Sequence, residues 1–230
     1  MHPRPMKRHA LTTRIWHWLN ALAFIVLFMS GLNISNAHRF LYWGDYGYDP
    51  ADAWMVVQRF PAWMTIPQRY DLAEARDWHN LSAWVLAVGL LVMWVMSLAN
   101  RHFWRDIATS KDDWSPKAWL AAIQEHARPG AHNDRGYNAV QKIVYGLVLG
   151  VGLPMMIASG LAISPGFEVS APWLVDALGG RQSARSLHFL FAWGLAGFVA
   201  IHLAMVLWSG PLNQITHMIT GGKREGERNA

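Results

Sequence analysis

Four stretches of the chain are apolar over about the length that a helix needs to cross a bilayer, roughly 20 residues. They lie at about residues 15–35, 79–99, 139–164 and 186–209. The polar connections after the first and second stretches are too long to be simple turns. The pattern predicts an all-α membrane protein, a four-transmembrane-helix bundle with one long periplasmic and one long cytoplasmic loop.

The first apolar stretch has two interpretations, because four basic residues precede or open it: Arg4, Lys7, Arg8 and Arg14. A signal peptide begins in this way. Here, however, no small-residue cleavage pattern follows the apolar stretch, and three further apolar spans come after it. We therefore expect an uncleaved first helix. Residues 1–222 are expected to form a single membrane domain, and residues 223–230 a disordered cytoplasmic tail.

Lysine and arginine residues are distributed unevenly between the connections. If the N-terminus is cytoplasmic, fourteen of the twenty lie on the inner side and six on the outer side, as the positive-inside rule requires. With the acidic residues included, the inner side carries +7 and the outer side −2, which together give the net charge of +5. This predicts a protein of the bacterial inner membrane with both termini in the cytoplasm. The basic charge is thus a topology signal and does not indicate nucleic-acid binding.

The two long connections have features of their own. The outer one, residues 36–78, is rich in aromatic residues, among them Tyr42, Trp43, Tyr46, Tyr48, Trp54 and Trp63. These side chains suit either a membrane-interface belt or a surface that binds a partner, and both interpretations stay open. In the inner connection, Ser115 and Pro116 are typical of the N-cap and first residue of a helix. We therefore expect a short amphipathic helix there, lying on the inner leaflet.

The composition limits the possible chemistry. The chain has no cysteine, which excludes disulfides, thiolate iron–sulfur clusters, covalent c-type haem attachment and thiolate zinc sites. Redox or metal chemistry must therefore use other ligands, and histidine is the first candidate. Of the eleven histidines, seven fall in tails or loops and are expected to be ordinary solvated residues: His2, His9, His38, His102, His126, His132 and His217.

The other four histidines, His17, His79, His188 and His202, lie within or at the ends of the apolar spans. A single ionisable side chain at membrane depth could be a hydrogen-bonded interhelical histidine, but four of them need a common explanation. His188 and His202 are fourteen residues apart, so they share one face of the fourth helix and are separated by about 21 Å. We expect His79 at the outer depth of His188, and His17 at the inner depth of His202.

Two histidine pairs at two depths are what two non-covalent b-type haems require, because each iron then receives two neutral imidazoles. The sequence thus predicts a bundle enclosing two haem b groups. His17 and His202 would hold the inner iron, and His79 and His188 the outer iron, with no catalytic residue in the chain. Four basic residues near these depths could pair with haem propionates, or could simply snorkel at helix ends: Arg14, Arg76, Lys142 and Arg185.

Several short motifs are similar to those of one family. They are Arg14-Ile-Trp-His17-Trp, Trp78-His79, Tyr137-Asn-Ala-Val-Gln141-Lys142, Leu187-His188 with Ile201-His202, and Met218-Ile-Thr-Gly-Gly at the end of the last helix. In this ordered set the chain resembles, over about residues 10–222, the prokaryotic di-haem cytochrome b-561 family. That family includes cytochrome b subunits of nickel–iron hydrogenases, formate dehydrogenases and thiosulfate reductases.

The resemblance implies the same two ligand pairs and, in addition, a quinone site near the inner haem. Asn138 and Gln141, which open the third span, match the polar candidates for that site, although a helix start needs polar side chains in any case. The resemblance also implies a subunit that exchanges electrons between the quinone pool and a periplasmic partner. That partner would be a molybdopterin enzyme or a hydrogenase, docked on the outer loop.

Two other functions remain open at the level of the sequence. A stand-alone superoxide:quinone oxidoreductase is known among similar proteins, but the outer side carries −2 and would not steer an anion. A haem-free transporter or proton channel could also use intramembrane histidines. It would need ionisable residues along one path, however, rather than pairs at two depths.

Overall fold

The computed structural model describes residues 11–101, 108–127, 139–208 and 210–220. Four helical segments within these ranges are long and apolar enough to cross a membrane, as the sequence predicts. They are α1 (Leu11–Ala37), α2 (Leu72–Ala99), the segment Ala139–Ala162, and α8 (Arg181–Trp208). Only 6–17% of the most apolar part of each span is buried within the protein. Most of the surface of the spans is therefore available to lipid or to bound groups.

Three spans begin earlier than the hydrophobic pattern predicts. Helices α1, α2 and α8 begin at Leu11, Leu72 and Arg181, where residues 15, 79 and 186 were expected. The additional turns are polar, and the side chain of Asp71 caps α2 by accepting a hydrogen bond from the Glu74 amide at 3.0 Å. Hydropathy cannot detect such turns because they lie outside the apolar part of the helix. His79 and His188 consequently lie seven residues inside their helices rather than at the first turn.

The third span is not a uniform α-helix. It consists of α4 (Ala139–Leu147), a π-helical turn (Val148–Gly152) and α5 (Leu153–Ala162). Pro154 follows the π-turn and lacks the amide hydrogen that a regular helix would direct to the carbonyl four residues earlier. A π-turn holds more residues than an α-turn, so it changes which side chains of α5 face the neighbouring helices.

The fourth span ends at Trp208, close to the predicted residue 209, and a separate helix follows it. Gly210 has φ +95° and separates α8 from α9 (Pro211–Thr220). Met218-Ile-Thr, which was expected at the end of the last helix, therefore lies in α9 and not in the membrane span. The indole nitrogen of Trp18 donates to the Met218 carbonyl at 3.3 Å, which brings α9 back against α1.

The inner connection contains the predicted short helix, α3 (Pro116–Ala127). Its N-cap is confirmed, because the Ser115 hydroxyl accepts a hydrogen bond from the Ala118 amide at 3.2 Å. Helix α3 packs against α4. A one-turn 3₁₀ helix, Asp112–Trp114, precedes it.

The long outer connection is folded onto the end of α1. Strands β1 (Phe40–Leu41) and β2 (Met55–Val56) pair antiparallel, with Phe40 opposite Val56, and 3₁₀ turns form at Pro50–Asp52 and Ala62–Met64. The Asn36 side chain exchanges two hydrogen bonds with the Phe60 backbone, at 2.8 and 2.9 Å. The fully buried Asn33 amide donates to the carbonyls of Pro67 and Arg69, at 3.0 and 2.7 Å.

The same connection is also attached to the start of α8. The buried Ser186 hydroxyl donates to the Tyr42 carbonyl at 2.6 Å and accepts from the Trp54 indole at 3.0 Å. The Ser183 hydroxyl accepts from the Gly44 amide at 2.7 Å. We call the segment 38–71, fixed to both α1 and α8, the outer cap.

A second outer connection contains the short helices α6 (Pro165–Glu168) and α7 (Pro172–Ala177). Arg181, at the start of α8, pairs with the Glu168 carboxylate and donates to the Ile163 carbonyl at 3.1 Å. Below these connections the spans pack as two pairs, α1 with α2 and α5 with α8. Phe28 and Trp193 link the pairs through an edge-to-face contact, with ring centroids 5.4 Å apart.

Candidate functional site

The outer histidine pair connects α2 to α8. The ring centroids of His79 and His188 are 6.1 Å apart, and the ring planes are inclined by 60°. Both side chains are half-buried. The structure thus brings together the two imidazoles that were expected at the outer depth.

The inner pair connects α1 to the other end of α8. The ring centroids of His17 and His202 are 6.4 Å apart, with the planes inclined by 53°. His17 is half-buried, whereas His202 is exposed, and the Phe198 ring stacks beside His202 at 6.2 Å. Fourteen residues of α8 separate this pair from the outer one, which is about 21 Å along a helix axis.

The ring spacing has a chemical meaning. Imidazole nitrogen binds a transition metal at about 2 Å, and the ring centre lies a little over 1 Å beyond that nitrogen. Two imidazoles on opposite sides of one metal atom therefore have centroids roughly 6.3 Å apart. Both pairs match this separation, at 6.1 and 6.4 Å, and could hold a metal between them.

Each pair supplies only two protein ligands, which suits a metal held within a cofactor that supplies the remaining ligands. Among the residues that the structure describes, no group of three or more His, Asp or Glu side chains could hold a bare metal ion. A porphyrin supplies four equatorial nitrogens, so that its iron needs only the two axial imidazoles. Each pair therefore fits a haem better than a bare ion.

Two serines contact the outer pair, and the sequence pattern did not single them out. Ser30 Oγ lies 3.0 Å from His79 Nδ1, and Ser159 Oγ lies 3.0 Å from His188 Nδ1. Each serine is followed by a glycine, Gly31 or Gly160, on which a Cβ atom would meet the same imidazole at 3.6 or 3.2 Å. The recurring Ser-Gly dipeptide was the signal in the sequence that could have revealed them.

The basic residues expected near the pairs differ in their surroundings. Arg14 has a buried Nε atom with no hydrogen-bond partner among the described residues. Arg185 is half-buried and donates to the neutral Gln182 side chain at 2.8 Å. Lys142 instead pairs with the Asp113 carboxylate at 3.4 Å. The pKa of that carboxyl is lowered, chiefly by a hydrogen bond from the Ser110 amide.

His38 is a site residue that the sequence interpretation missed. It was expected to be a solvated loop histidine, but it is half-buried, and that expectation is wrong. The Arg76 guanidinium lies 3.3 Å from its Nε2. Burial lowers the pKa of His38, and the positive charges of Arg185, Arg76 and Arg181 lower it further. These side chains form a basic cluster beside the outer histidine pair.

The expected quinone residues are only partly described. Asn138 lies outside the described residues. Gln141 lies in the first turn of α4, next to Lys142, and its side chain is half-buried. The structure therefore places one of the two candidates near the inner end of the third span.

Comparison with known proteins identifies the family. The model of prokaryotic cytochrome b561 matches residues 8–221. A putative protein-methionine-sulfoxide reductase subunit, YedZ1, of Azospira oryzae is 28% identical over 204 residues, 86% of this chain and 89% of that protein. A probable Ni/Fe-hydrogenase B-type cytochrome subunit of Cupriavidus necator is 24% identical over 207 residues, 83% of this chain and 74% of that protein. A protein of the same description from Azotobacter vinelandii is 23% identical over 208 residues, covering 84% and 77% of the two chains.

The fold and the family match together define the class of protein. The chain belongs to the prokaryotic cytochrome b561 family. It is a multi-pass membrane b-type cytochrome that acts in electron transfer, and haem b is its cofactor.

Proposed function

We propose that this cytochrome holds two haems and carries electrons between the quinone pool and a redox enzyme in the periplasm. The observation that carries the proposal is the presence of two imidazole pairs, at 6.1 and 6.4 Å between centroids, at opposite ends of α8. Two irons about 21 Å apart along this helix would connect the two sides of a hydrocarbon layer roughly 30 Å thick.

In this proposal His79 and His188 are the axial ligands of the outer haem, and His17 and His202 those of the inner haem. Each haem supplies one-electron redox chemistry when bound. Because two imidazoles fill both axial positions, neither iron offers a position to oxygen or to a substrate. The chain would then transfer electrons, and the reactions at either end would take place elsewhere.

The basic side chains are assigned to haem propionates by their surroundings. Arg14, with its buried Nε, would pair with a propionate of the inner haem. Arg76 and Arg185, together in the basic cluster around His38, would serve the outer haem. Lys142 could do so only if it left Asp113, to which it is paired at 3.4 Å.

We infer that quinone reacts at the inner end of the third span. Gln141 and the neighbouring Asn138 are the polar residues that would bind a quinone carbonyl there. The excess of Lys and Arg on this side supports a cytoplasmic location for both termini and an inner-membrane location for the protein.

The outer cap is the proposed docking surface of the partner. Its aromatic side chains Tyr46, Tyr48 and Trp63 are 74%, 84% and 71% exposed, although large apolar groups are usually buried. The relatives are described as subunits of a hydrogenase or a reductase, which supports a redox enzyme as the partner. The proposed enzyme is a hydrogenase or, from the sequence resemblance, a molybdopterin enzyme.

The haem content of the purified protein tests the number of sites. We expect two haems per chain, and we expect His202→Ala and His79→Ala each to retain one. A redox titration of each variant should then show a single component, and the two components should differ. A wild type with only one haem would contradict the proposed sites. Retention of both haems in the two variants would also contradict them.

Reduction by a quinol tests whether the haems exchange electrons with the quinone pool. A water-soluble quinol analogue should reduce the haems of the wild type, and Gln141→Ala should slow this reaction while leaving dithionite reduction unchanged. Fast reduction by superoxide without a partner would favour the stand-alone oxidoreductase. A colourless protein would favour a haem-free transporter.

A further inference from the structure

The hydroxyl groups of Ser30 and Ser159 make matching hydrogen bonds. Ser30 Oγ lies 2.6 Å from the Val26 carbonyl, and Ser159 Oγ lies 2.6 Å from the Met155 carbonyl. Each serine also lies 3.0 Å from the Nδ1 atom of one outer histidine. Both serines are completely buried, with an exposed fraction of 0%.

Counting hydrogens decides the direction of the bond to the ring. A carbonyl oxygen can only accept, so the single hydroxyl hydrogen of each serine is used by the carbonyl four residues earlier. The carbonyls of Leu27 and Met156, at 3.2 and 3.3 Å, are also within reach of that hydrogen. The serine oxygen therefore accepts from Nδ1. The same Nδ1–H group also has a backbone acceptor, the Leu27 carbonyl for His79 and the Met156 carbonyl for His188. The hydrogen-bond network thus assigns a proton to Nδ1 of both His79 and His188.

We propose that Ser30 and Ser159 are positioning residues, which fix the outer imidazoles in the Nδ1–H tautomer and direct the Nε2 lone pairs to the haem iron. This inference rests on the proposed assignment of His79 and His188 as axial ligands. A hydrogen bond donated by the distal nitrogen of a metal-bound imidazole orients the ring and makes it a more basic ligand. A more basic ligand favours ferric over ferrous iron, and the two serines therefore lower the midpoint potential of the outer haem.

The glycine after each serine allows this approach. A Cβ atom on Gly160 would lie 3.2 Å from Cε1 of His188, and one on Gly31 would lie 3.6 Å from Cε1 of His79. A side chain at Gly160 would therefore press on the His188 ring, whereas one at Gly31 would make an ordinary contact with His79. The Ser-Gly dipeptide thus provides both the acceptor and the space for the ring.

Serine variants of the haem-loaded protein test the inference through the potential of each haem. We expect Ser30→Ala and Ser159→Ala each to raise the outer midpoint potential, by the equivalent of about a tenfold change in the ferric-to-ferrous preference, or about 59 mV for one electron. The inner midpoint should not move. Ser30→Thr and Ser159→Thr keep the hydroxyl and should restore the wild-type potential. Ser35→Ala, on the same helix as Ser30, is the matched control.

The outcomes separate the inference from the proposed function. Two haems with unchanged outer potentials in both alanine variants would overturn the role of the serines and leave the haem sites intact. Loss of the outer haem in the alanine variants but not in the threonine variants would support the role of the hydroxyl. Its loss in both kinds of variant would indicate packing and overturn the inference. A wild type without an outer haem would overturn both.

Discussion

The outer and the inner histidine pairs have almost the same ring separation, but the protein around them differs. At the outer end, the cap is hydrogen-bonded to α1 through Asn33 and Asn36 and to α8 through Ser183 and Ser186. Serine hydroxyls contact both outer imidazoles. At the inner end, the Trp16 indole donates to the Gly89 carbonyl of α2 at 2.9 Å, Trp18 bonds to α9, and Lys142 pairs with Asp113.

This difference shows where the fold itself holds the ligands. Buried side chains that bond to distant backbone groups fix the outer end. Of the described inner ligands, His17 is half-buried and His202 lies beside the Phe198 ring. We therefore expect the outer site to respond to substitutions in the cap, and the inner site to respond mainly to its own ligands.

Gly180 gives the largest expected effect. It has φ +100°, and a Cβ atom there would lie 2.5 Å from the Gly44 carbonyl carbon of the cap. Backbone strain and overpacking together predict that Gly180→Ala destabilises the protein by about 3 kcal/mol. Thermal unfolding in detergent would measure this, and limited proteolysis should show the cap opening.

Gly210 at the inner end is the matched control for Gly180. It has φ +95°, but none of the residues that the structure describes comes within 4 Å of its Cβ position. Gly210→Ala should therefore cost about 1 kcal/mol, from backbone strain alone. Equal costs at the two glycines would contradict the close packing of the cap on α8.

Asn33 has the next largest expected effect. Asn33→Ala removes a buried amide group that donates to the carbonyls of Pro67 and Arg69, which should lower the free energy of unfolding by about 2 kcal/mol. Asn20→Ala, nearer the inner end, is the control. Asn20 donates to the Trp16 carbonyl of its own helix, and loss of this bond should cost under about 1 kcal/mol. The comparison fails if Asn20 proves to be the costlier position.

The two glycines beside the outer imidazoles should differ from each other. Gly160→Ala places a Cβ 3.2 Å from His188, whereas Gly31→Ala places one at an ordinary 3.6 Å from His79. We expect Gly160→Ala to destabilise the protein by about 1–2 kcal/mol and to weaken the retention of the outer haem. Gly31→Ala should be nearly neutral. Haem retention during size-exclusion chromatography would compare them, and a greater loss in Gly31→Ala would be inconsistent with the geometry.

His38 gives the smallest effect, and it depends on pH. Its pKa is lowered in the folded protein by burial and by Arg185, Arg76 and Arg181, from an ordinary value of 6.5. The unfolded chain therefore binds the proton more readily, and stability falls as the pH drops below 6.5. His38→Gln should reduce this loss in melting temperature between pH 7.5 and pH 5.5. The variant and the wild type should differ least at the higher pH; a parallel decline in both would exclude His38 as the cause.

The spans could be predicted from the sequence because twenty apolar residues are a strong signal. The start of α2 could not, since its first turn is charged and is defined by the Asp71 cap instead. The π-turn at Val148–Gly152 was missed for a related reason. It precedes a single proline, Pro154, within a stretch that stays apolar throughout.

The histidine pairs were expected because helix periodicity and depth limit which imidazoles can meet. The side chains that surround the rings were not predicted, because their positions do not follow from a pattern along the chain. Ser159 reaches His188 only through the packing of α5 on α8. His38, which follows α1, is half-buried and lies 3.3 Å from the guanidinium of Arg76 on α2. Contacts between distant segments are the part of the site that one sequence does not reveal.

The Ser-Gly dipeptide also marks an arrangement that occurs twice in the fold. The hairpin of α1 and α2 and the hairpin of α5 and α8 each present Ser-Gly to a histidine seven residues inside the following helix. When the two hairpins are aligned on these serines and histidines, the inner ligands His17 and His202 align with Gly146 and Met93. Neither of these residues carries an imidazole. A substitution beside one outer histidine can therefore be compared with the equivalent substitution in the other hairpin. The inner pair offers no such equivalent position.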